Sequence, residues 1–379
     1  SYWMNAYWSS SVVALGGALV LGALPRIKRH RRVSDAIWMA LGLAILANSR
    51  PYEGCVLAIL VGTSLLVWII ASRRTDLKTI AGRIILPLSM VLLPAAVGTG
   101  YFYYRVTGSP LRMIYQVDSQ IYNPVPYFLW QAPRPLPVYR HPVMQKFYEE
   151  DLQRYFENRT GKGFLIYSIS RFLVLWSFFL RPIASIPLIV LPWLWRDRRM
   201  RFLLITSAIF FIALMIETWG LPHYAAPAAG ILFIILTQCC RRMSLWNWRT
   251  WPAGRIVIQA IPIILLAGVF VRIAAVAAHK PSEGKWPRGN IDRAAVTHHL
   301  ENTPGKHLVL VRYTSNHSLD LEWVYNAADI DSSPVVWARD MGEQANSELL
   351  RYFHDREVWT ILIDDQPNPS LIHYSAHPN

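Results

Sequence analysis

Cysteine is scarce: three occur in 379 residues, at positions 55, 239 and 240. All lie in or beside apolar runs, so neither a disulfide framework nor a zinc site of cysteine spacing can be assembled. Charge is sparse as well. Only 16% of residues are Asp, Glu, Lys or Arg, against about a quarter in ordinary soluble domains, which argues against a single soluble domain. There is no glycine-rich phosphate loop; Gly161-Lys162-Gly163 lacks the rest of a Walker motif, so no nucleotide is expected there. Apolar surface is abundant, with 53% hydrophobic residues, 16 Trp and 18 Tyr, and this excludes disorder.

The net charge of +14 is the sum of two unlike parts. Residues 278–379 hold 9 Lys/Arg and 14 Asp/Glu, whereas residues 1–277 hold 29 and 10. Long apolar runs occur only in the first part. Eight stretches approach the ~20 apolar residues that cross a bilayer: near 8–25, 35–49, 54–72, 84–104, 171–195, 202–218, 223–240 and 256–277.

Four of the connections are basic. They hold Arg26, Lys28, Arg29, Arg31 and Arg32; Arg73, Arg74, Lys78 and Arg83; Arg196, Arg198, Arg199 and Arg201; and Arg241, Arg242, Arg249 and Arg255. These alternate along the chain, so all fall on one side, and positive loops stay cytoplasmic. The cations therefore orient the protein. The aromatic–basic run Trp246–Trp251 reads as an interfacial belt with lipid-attracted cations, not as a nucleic-acid surface. The expected fold is an α-helical polytopic membrane protein of about eight spans with a small C-terminal α/β extracytoplasmic domain. Its expected parts are 1–104 and 171–277 as two groups of spans, 105–170 as an outer loop, and 278–379 as the outer domain. It is expected in the inner (plasma) membrane, with the bilayer as its first partner.

Within these parts the detail is uneven. Ala14, Ala18 and Gly22 suggest a small-residue packing face on the first span. The loop is proline-rich, then a helix over 143–157 places Val143, Phe147, Leu152, Tyr155 and Phe156 on one broad face, suited to lie on the membrane. Pro182, Pro187 and Pro192 should kink or break the span that follows. The outer domain alternates a helix near 290–302, strands His307–Tyr313 and Pro334–Ala338, a helix near 343–355 and strand Val358–Ile363. The start is placed outside at Ser1 with no leader visible, so an N-terminal part is expected to precede it. Asn158-Arg159-Thr160 and Asn316-His317-Ser318 fit a glycosylation sequon, a pattern that matters only in a host with that machinery.

Two outward turns carry the candidate chemistry. In Asn48-Ser49-Arg50-Pro51-Tyr52-Glu53-Gly54, Arg50 either grips a phosphate with its planar fork or pairs with Glu53 to close the turn. Glu53 would orient Arg50 or handle a proton. In the second, Glu217 ends a span before Trp219-Gly220-Leu221-Pro222-His223-Tyr224. His223 either acts as acid or base or caps a helix start, beside an interfacial Tyr224. Asp118 in the long loop is a third, weaker candidate. Asp329-Ile330-Asp331 reads as loop solvation, because alternate residues on an extended segment point oppositely. No metal ligands are assigned, and a divalent ion stays open.

The segments SYWMNAYWSSSVVALGGALVLGALPRI, LGLAILANSRPYEG, GLPHYAAPAAG and EWVYNAADIDSSPVVWARDM resemble a group of uncharacterised bacterial integral membrane proteins. Those in turn resemble, by architecture, the multi-spanning C-type glycosyltransferases, which take sugars from polyprenyl-phosphate donors. The resemblance implies a lipid-linked sugar as donor, and Arg50, Tyr52, Glu53, His223 and Tyr224 lining the cavity where lipid phosphate meets acceptor. It also places the catalytic carboxylate in a large outer loop after the first span. This sequence has no such loop near its start, so that acid lies upstream of Ser1 or is absent. The alternative is a non-catalytic subunit of a larger membrane complex, docking through the α/β domain; a transporter is weaker, because intramembrane charges are few.

The topology is checked by labelling. With Cys55, Cys239 and Cys240 removed, Arg140→Cys and Ala345→Cys should react with a membrane-impermeant maleimide in intact cells, and Arg198→Cys and Arg242→Cys should stay protected. The opposite pattern would invert the orientation.

Overall fold

The computed structural model describes residues 9–71, 76–278, 290–314, 317, 321–364 and 369–374. The N-terminal aromatic segment, Arg73 and Arg74 of the second basic connection, and Asn316 and Ser318 of the second sequon lie outside the described residues. Of the described residues 69% are helical, and the chain divides into two compact units. One comprises residues 1–137 and 151–274, the other 138–150 and 275–379.

In the first unit α1 (Ser10–His30), α2 (Val33–Ser49), α3 (Pro51–Ala71) and α4 (Leu77–Thr107, with a π turn at Ala81–Ile85) lead to the short α5 (Ile114–Ile121). Then come α6 (Pro142–Arg159), of which residues 151–159 belong to this unit, α7 (Gly161–Phe179), the broken α8 (Arg181–Leu194) and α9 (Arg198–Met215). A 3-10 segment, Pro222–Ala228, runs into α10 (Ala229–Met243), and α11 is Ala253–Ala277. Among the described residues six helices are long and apolar enough to cross a membrane: α1, α3, α4, α7, the run Pro222–Met243, and α11. Two of the eight expected spans are the less apolar or shorter ones: α2 has 17 residues, and α9 carries three arginines in its first turn.

Many side chains on these helices are apolar and exposed, among them Ile70 at 72%, Val97 at 71% and Phe270 at 69%. Exposure on that scale suits hydrocarbon surroundings, since water-soluble proteins rarely show large contiguous apolar patches. The spans share a core in which Val13, Leu24, Leu57, Phe210 and Ile231 are buried.

The packing face of α1 differs from expectation. Ala18 is exposed, and the close approaches are made by Gly16 and Gly17 instead. A Cβ on Gly42 would come within 2.7 Å of the Gly16 carbonyl, and one on Gly17 would overlap the Pro227 backbone. A four-residue repeat of small side chains was visible at Ala14, Ala18 and Gly22, but helix–helix distance is set by which face meets a neighbour. The basic end of α1 is tied locally: Arg26 lies 3.0 Å from Asp35, and Lys28 donates to Ser64 Oγ at 2.7 Å. The C-terminal ends of α1 and α3 and the start of α2 therefore share one end of the bundle.

The expected break at 171–195 is present, though the span begins ten residues earlier, at Gly161. It ends where Arg181 takes a left-handed φ of 55°, and α8 tightens to 3-10 geometry over Ile186–Val190, between Pro182 and Pro192. Prolines at 182, 187 and 192 each remove a backbone donor, so a continuous α-helix cannot form there.

The second unit contains α12 (Ile291–Glu301), β1 (His307–Tyr313), β2 (Val335–Arg339), α13 (Glu343–Tyr352), β3 (Glu357–Ile363) and β4 (Leu371–His373). Strand order is β2-β1-β3-β4, with β1 parallel to both neighbours and β4 antiparallel to β3. The central β1 is buried on both faces, hence its unbroken LVLV. Val309 and Val311 join Leu300, Trp323 and Ile361 on one side; Leu308 and Leu310 meet Val336 and Phe353 on the other. The edge strand β2 is covered at Trp337 by the Asn326 amide, which exchanges two 2.8 Å bonds with its main chain. Asp329 and Asp331 serve the adjacent loop, accepting from Ser332 N and from the Tyr352 hydroxyl. At only three residues, β4 left no periodicity to detect.

Two carboxylates tie strand ends together. Burial pushes the Asp340 carboxyl up, but bonds from the Asn346 amide, Gly342 N–H and Arg312 outweigh it and hold the group below its usual range. Glu322 is likewise raised by burial and lowered further by Tyr313, Val324 N–H and Arg339. Depressed folded values stabilise the unit above the unfolded carboxylate range, about pH 4, and that stability is lost as pH falls through the depressed values. Hydrogen exchange of β1 and β2 should therefore accelerate between pH 5 and pH 2.5 beyond the intrinsic rate change. Asp340→Asn should flatten that dependence.

Candidate functional site

The first candidate turn is built by two residues with backbone roles. Pro51 opens α3 with its fixed φ, where a missing N–H costs nothing. Gly54 N–H bonds Arg50 O at 2.8 Å, and a Cβ there would stand 2.8 Å from Leu46 Cβ, so the turn closes tightly against α2. The closure seats Arg50 with its guanidinium 4.1 Å over the Tyr224 ring and 3.7 Å from Glu53 Oε1. Glu53 is buried. The Tyr52 hydroxyl donates to Ala213 O at 3.0 Å, and its ring meets Phe128 edge-to-face.

The second turn hangs on Arg171, a buried arginine of α7. Its guanidinium lies 4.3 Å over the Tyr167 ring and donates to Leu214 O and, at 3.2 Å, to Glu217 O. These are carbonyls at the C-terminal end of α9, which a cation suits both by hydrogen bonding and by the helix dipole. The Tyr167 hydroxyl bonds Thr218 O. A Cβ on Gly220 would overlap the Arg171 guanidinium, so glycine is required for the arginine to reach the turn. His223 follows, 2% exposed, with its ring 4.7 Å from that of Tyr224.

The proline-rich loop closes over both turns. Thr218 N–H bonds Tyr127 O at 2.9 Å, Leu129 N–H bonds Ile216 O at 3.1 Å, and Thr218 Oγ1 donates to Pro126 O at 2.6 Å. Phe128 and Glu217 thus pair as a one-step antiparallel ribbon. From α6, the Tyr155 hydroxyl holds the Leu129 and Gln131 carbonyls, while Asp151 accepts from Trp219 Nε1 at 3.3 Å. Ser119 donates to the Tyr127 hydroxyl at 2.7 Å.

The result is one buried polar cluster at the end of the bundle away from the Arg26–Asp35 pair. It joins Arg50, Tyr52, Glu53, His223 and Tyr224, all candidates from the sequence. Arg171 and Glu217 complete it: Glu217 interacts electrostatically with Glu53, Arg171 and Arg50. Asp118 stands apart, exposed on α5 beside Tyr127. Sequence reasoning missed Arg171 altogether, although an arginine inside an apolar run was itself a signal. Below the cluster lies an apolar cavity of about 430 Å³ lined by Phe172, Phe179, Leu188, Phe211, Leu214 and Ala225, among others. One of its lining residues, Leu214, is also the residue whose carbonyl accepts from Arg171.

No family model matches the chain, and neither a curated protein nor a solved structure matches it. The groups available for chemistry are those of the cluster itself: two guanidinium cations, one of them buried, two buried carboxylates, an imidazole and two phenols.

Gly220→Ala should dislodge the Arg171 guanidinium and cost roughly 1.5–3 kcal/mol, the scale of a hydrogen bond to a charged group. Thermal unfolding in detergent should show a lowered midpoint. Gly230→Ala, whose added carbon would meet only Leu21 Cδ1 at 3.9 Å, should not change it.

Proposed function

We propose that the chain is a membrane glycosyltransferase, or the C-terminal portion of one, that moves a sugar from a polyprenyl-phosphate donor to an acceptor hydroxyl. One observation carries this reading: Arg50 is gathered with two buried carboxylates in one polar cluster, in a bundle that also holds a cavity with an apolar lining. A lipid phosphate is an anionic head on a hydrocarbon tail, and few other ligands need both surroundings at once. Arg50 suits the phosphate, because its planar fork is held by the Tyr224 hydroxyl and stands 3.7 Å from Glu53, too far for a hydrogen bond to that carboxylate.

The proposed step is an inverting transfer. Glu53 accepts the proton of the acceptor hydroxyl as its oxygen attacks the anomeric carbon. The bond from that carbon to the phosphate oxygen breaks, and its electron pair leaves with the phosphate, whose growing charge Arg50 stabilises. His223, packed on Tyr224 beside Arg50, is placed in this reading to donate to the phosphate. Asp118, exposed on α5 beside Tyr127, is the fallback base. Acceptor and donor meet at the end away from the basic loops, which the charge rule makes the outer face of an inner membrane.

The second reading, a non-catalytic subunit, draws on the second unit. Tyr325, Ile330, Met341 and Tyr352 are exposed there, a surface that would suit a protein partner. Co-purification in fixed stoichiometry with a larger assembly, without lipid binding, would favour it.

Full-length protein in detergent should bind undecaprenyl phosphate, read by native mass spectrometry. Arg50→Ala should weaken binding at least about tenfold, the loss expected for one charge-assisted contact, and abolish transfer; Arg50→Lys should fall between. Equal binding by wild type and Arg50→Ala would sink the assignment.

A further inference from the structure

Glu53 and Glu217 are 4% and 6% exposed, and each leaves one carboxylate oxygen, Oε1 and Oε2 respectively, without a hydrogen-bond partner among the described residues. The cations nearby do not account for them. Arg50 is 3.7 Å from Glu53, too long for a hydrogen bond. Arg171 spends its terminal nitrogens on the main-chain oxygens of Leu214 and Glu217, not on the Glu217 carboxylate. A buried carboxylate oxygen without a donor is costly. Two such oxygens, on residues close enough to interact electrostatically, mark a place built to receive donors.

We propose that Glu53 and Glu217 together form a hydroxyl-binding subsite that reads the sugar of the lipid-linked donor, with Glu217 as a specificity-determining residue. This rests on the glycosyltransferase reading above. A bare phosphate cannot be the group the pair takes, because it brings acceptors and negative charge to carboxylates that need donors. A sugar brings several hydroxyl donors at spacings that two neighbouring carboxylates can share. The surroundings fit the rest of a sugar ring. Phe128, bridged to Glu217 in the ribbon, packs edge-to-face on Tyr52 at 4.8 Å and stacks on the exposed Trp130 at 4.5 Å, which offers flat apolar faces to ring C–H groups. Arg50, 3.7 Å from Glu53, stays with the phosphate. Head and sugar are thus divided between the cation and the carboxylate pair, and Glu217 does not act on the reacting bond.

The test compares affinities of the full chain in detergent for undecaprenyl phosphate and for the same lipid bearing single hexoses or pentoses. Wild type should bind at least one glycosylated lipid about tenfold more tightly than the bare phosphate, the scale of one hydrogen bond to a buried charge. Glu217→Ala should reduce that ratio to within about twofold, and Glu217→Gln, which keeps one acceptor oxygen, should restore part of it. Thermal unfolding of the variants reports whether they fold; a purely structural Glu217 would move the midpoint and leave the ratio alone. Equal binding of bare and glycosylated lipids by wild type, or an unchanged ratio in a folded Glu217→Ala, overturns this inference while leaving phosphate binding intact. Failure to bind either lipid overturns the glycosyltransferase reading instead.

Discussion

The guanidinium of Arg171 donates to the carbonyls of Leu214 and Glu217, and the polar end of the first unit is organised around those two bonds. Without a cation there, the last carbonyls of α9 would face the bundle interior unsatisfied, in surroundings with little water to replace the donor. With it, the chain can leave α9 at Met215, turn through Gly220 and re-enter as the 3-10 segment that carries His223 and Tyr224. The same anchoring holds the Ile216–Thr218 main chain where it bonds to Tyr127 and Leu129. So the loop over the site, the Glu217 side chain and the position of His223 all follow from one side chain reaching across from α7.

The electrostatic balance of the cluster explains why so many ionisable groups can be buried together. Two arginines and two glutamates come close to neutrality as a set, yet no pair among them is a tight fork: the Arg50–Glu53 contact is 3.7 Å and Arg171 is committed to carbonyls. A cluster serving stability alone would be expected to close those gaps, because loosely paired buried charge costs several kcal/mol per ion before compensation. Looseness at a site otherwise held by Gly54, Gly220, Tyr155 and Thr218 is a property of the side-chain tips, not of the backbone. That contrast of a firm main chain with under-bonded tips is what favours a ligand-binding reading over a structural ion network.

Much of this architecture was legible in the sequence, and the parts that were not share a cause. Apolar runs and the four basic connections marked the helices, because burial in hydrocarbon and interfacial charge act on each segment by itself. The two turns at Arg50 and His223 were legible for the same reason, as polar residues beside Pro and Gly at span ends. Arg171 was not, since its role depends on carbonyls more than forty residues away. The packing face of α1 failed similarly: Ala14, Ala18 and Gly22 have the right spacing, but contact with Gly42 and Pro227 selects Gly16 and Gly17. Local patterns name the elements; which face meets which partner is a property of the assembled fold.

Helix polarity adds a last constraint on what the site can hold. α3 and the 3-10 segment both begin at the cluster, whereas α9 ends there. The N-terminal end of α3 favours negative charge through the helix dipole. The C-terminal end of α9 would favour the opposite sign, but Arg171 already occupies its carbonyls. What remains open to a ligand is therefore the positive side, at Arg50 and the start of α3, together with the under-bonded carboxylates of Glu53 and Glu217. A ligand that is anionic at one point and rich in donors at the next satisfies both halves, and a simple anion or a simple cation satisfies only one. On the proposed reading, such a division of labour would make a phosphate joined to a sugar fit this end of the bundle better than either group alone.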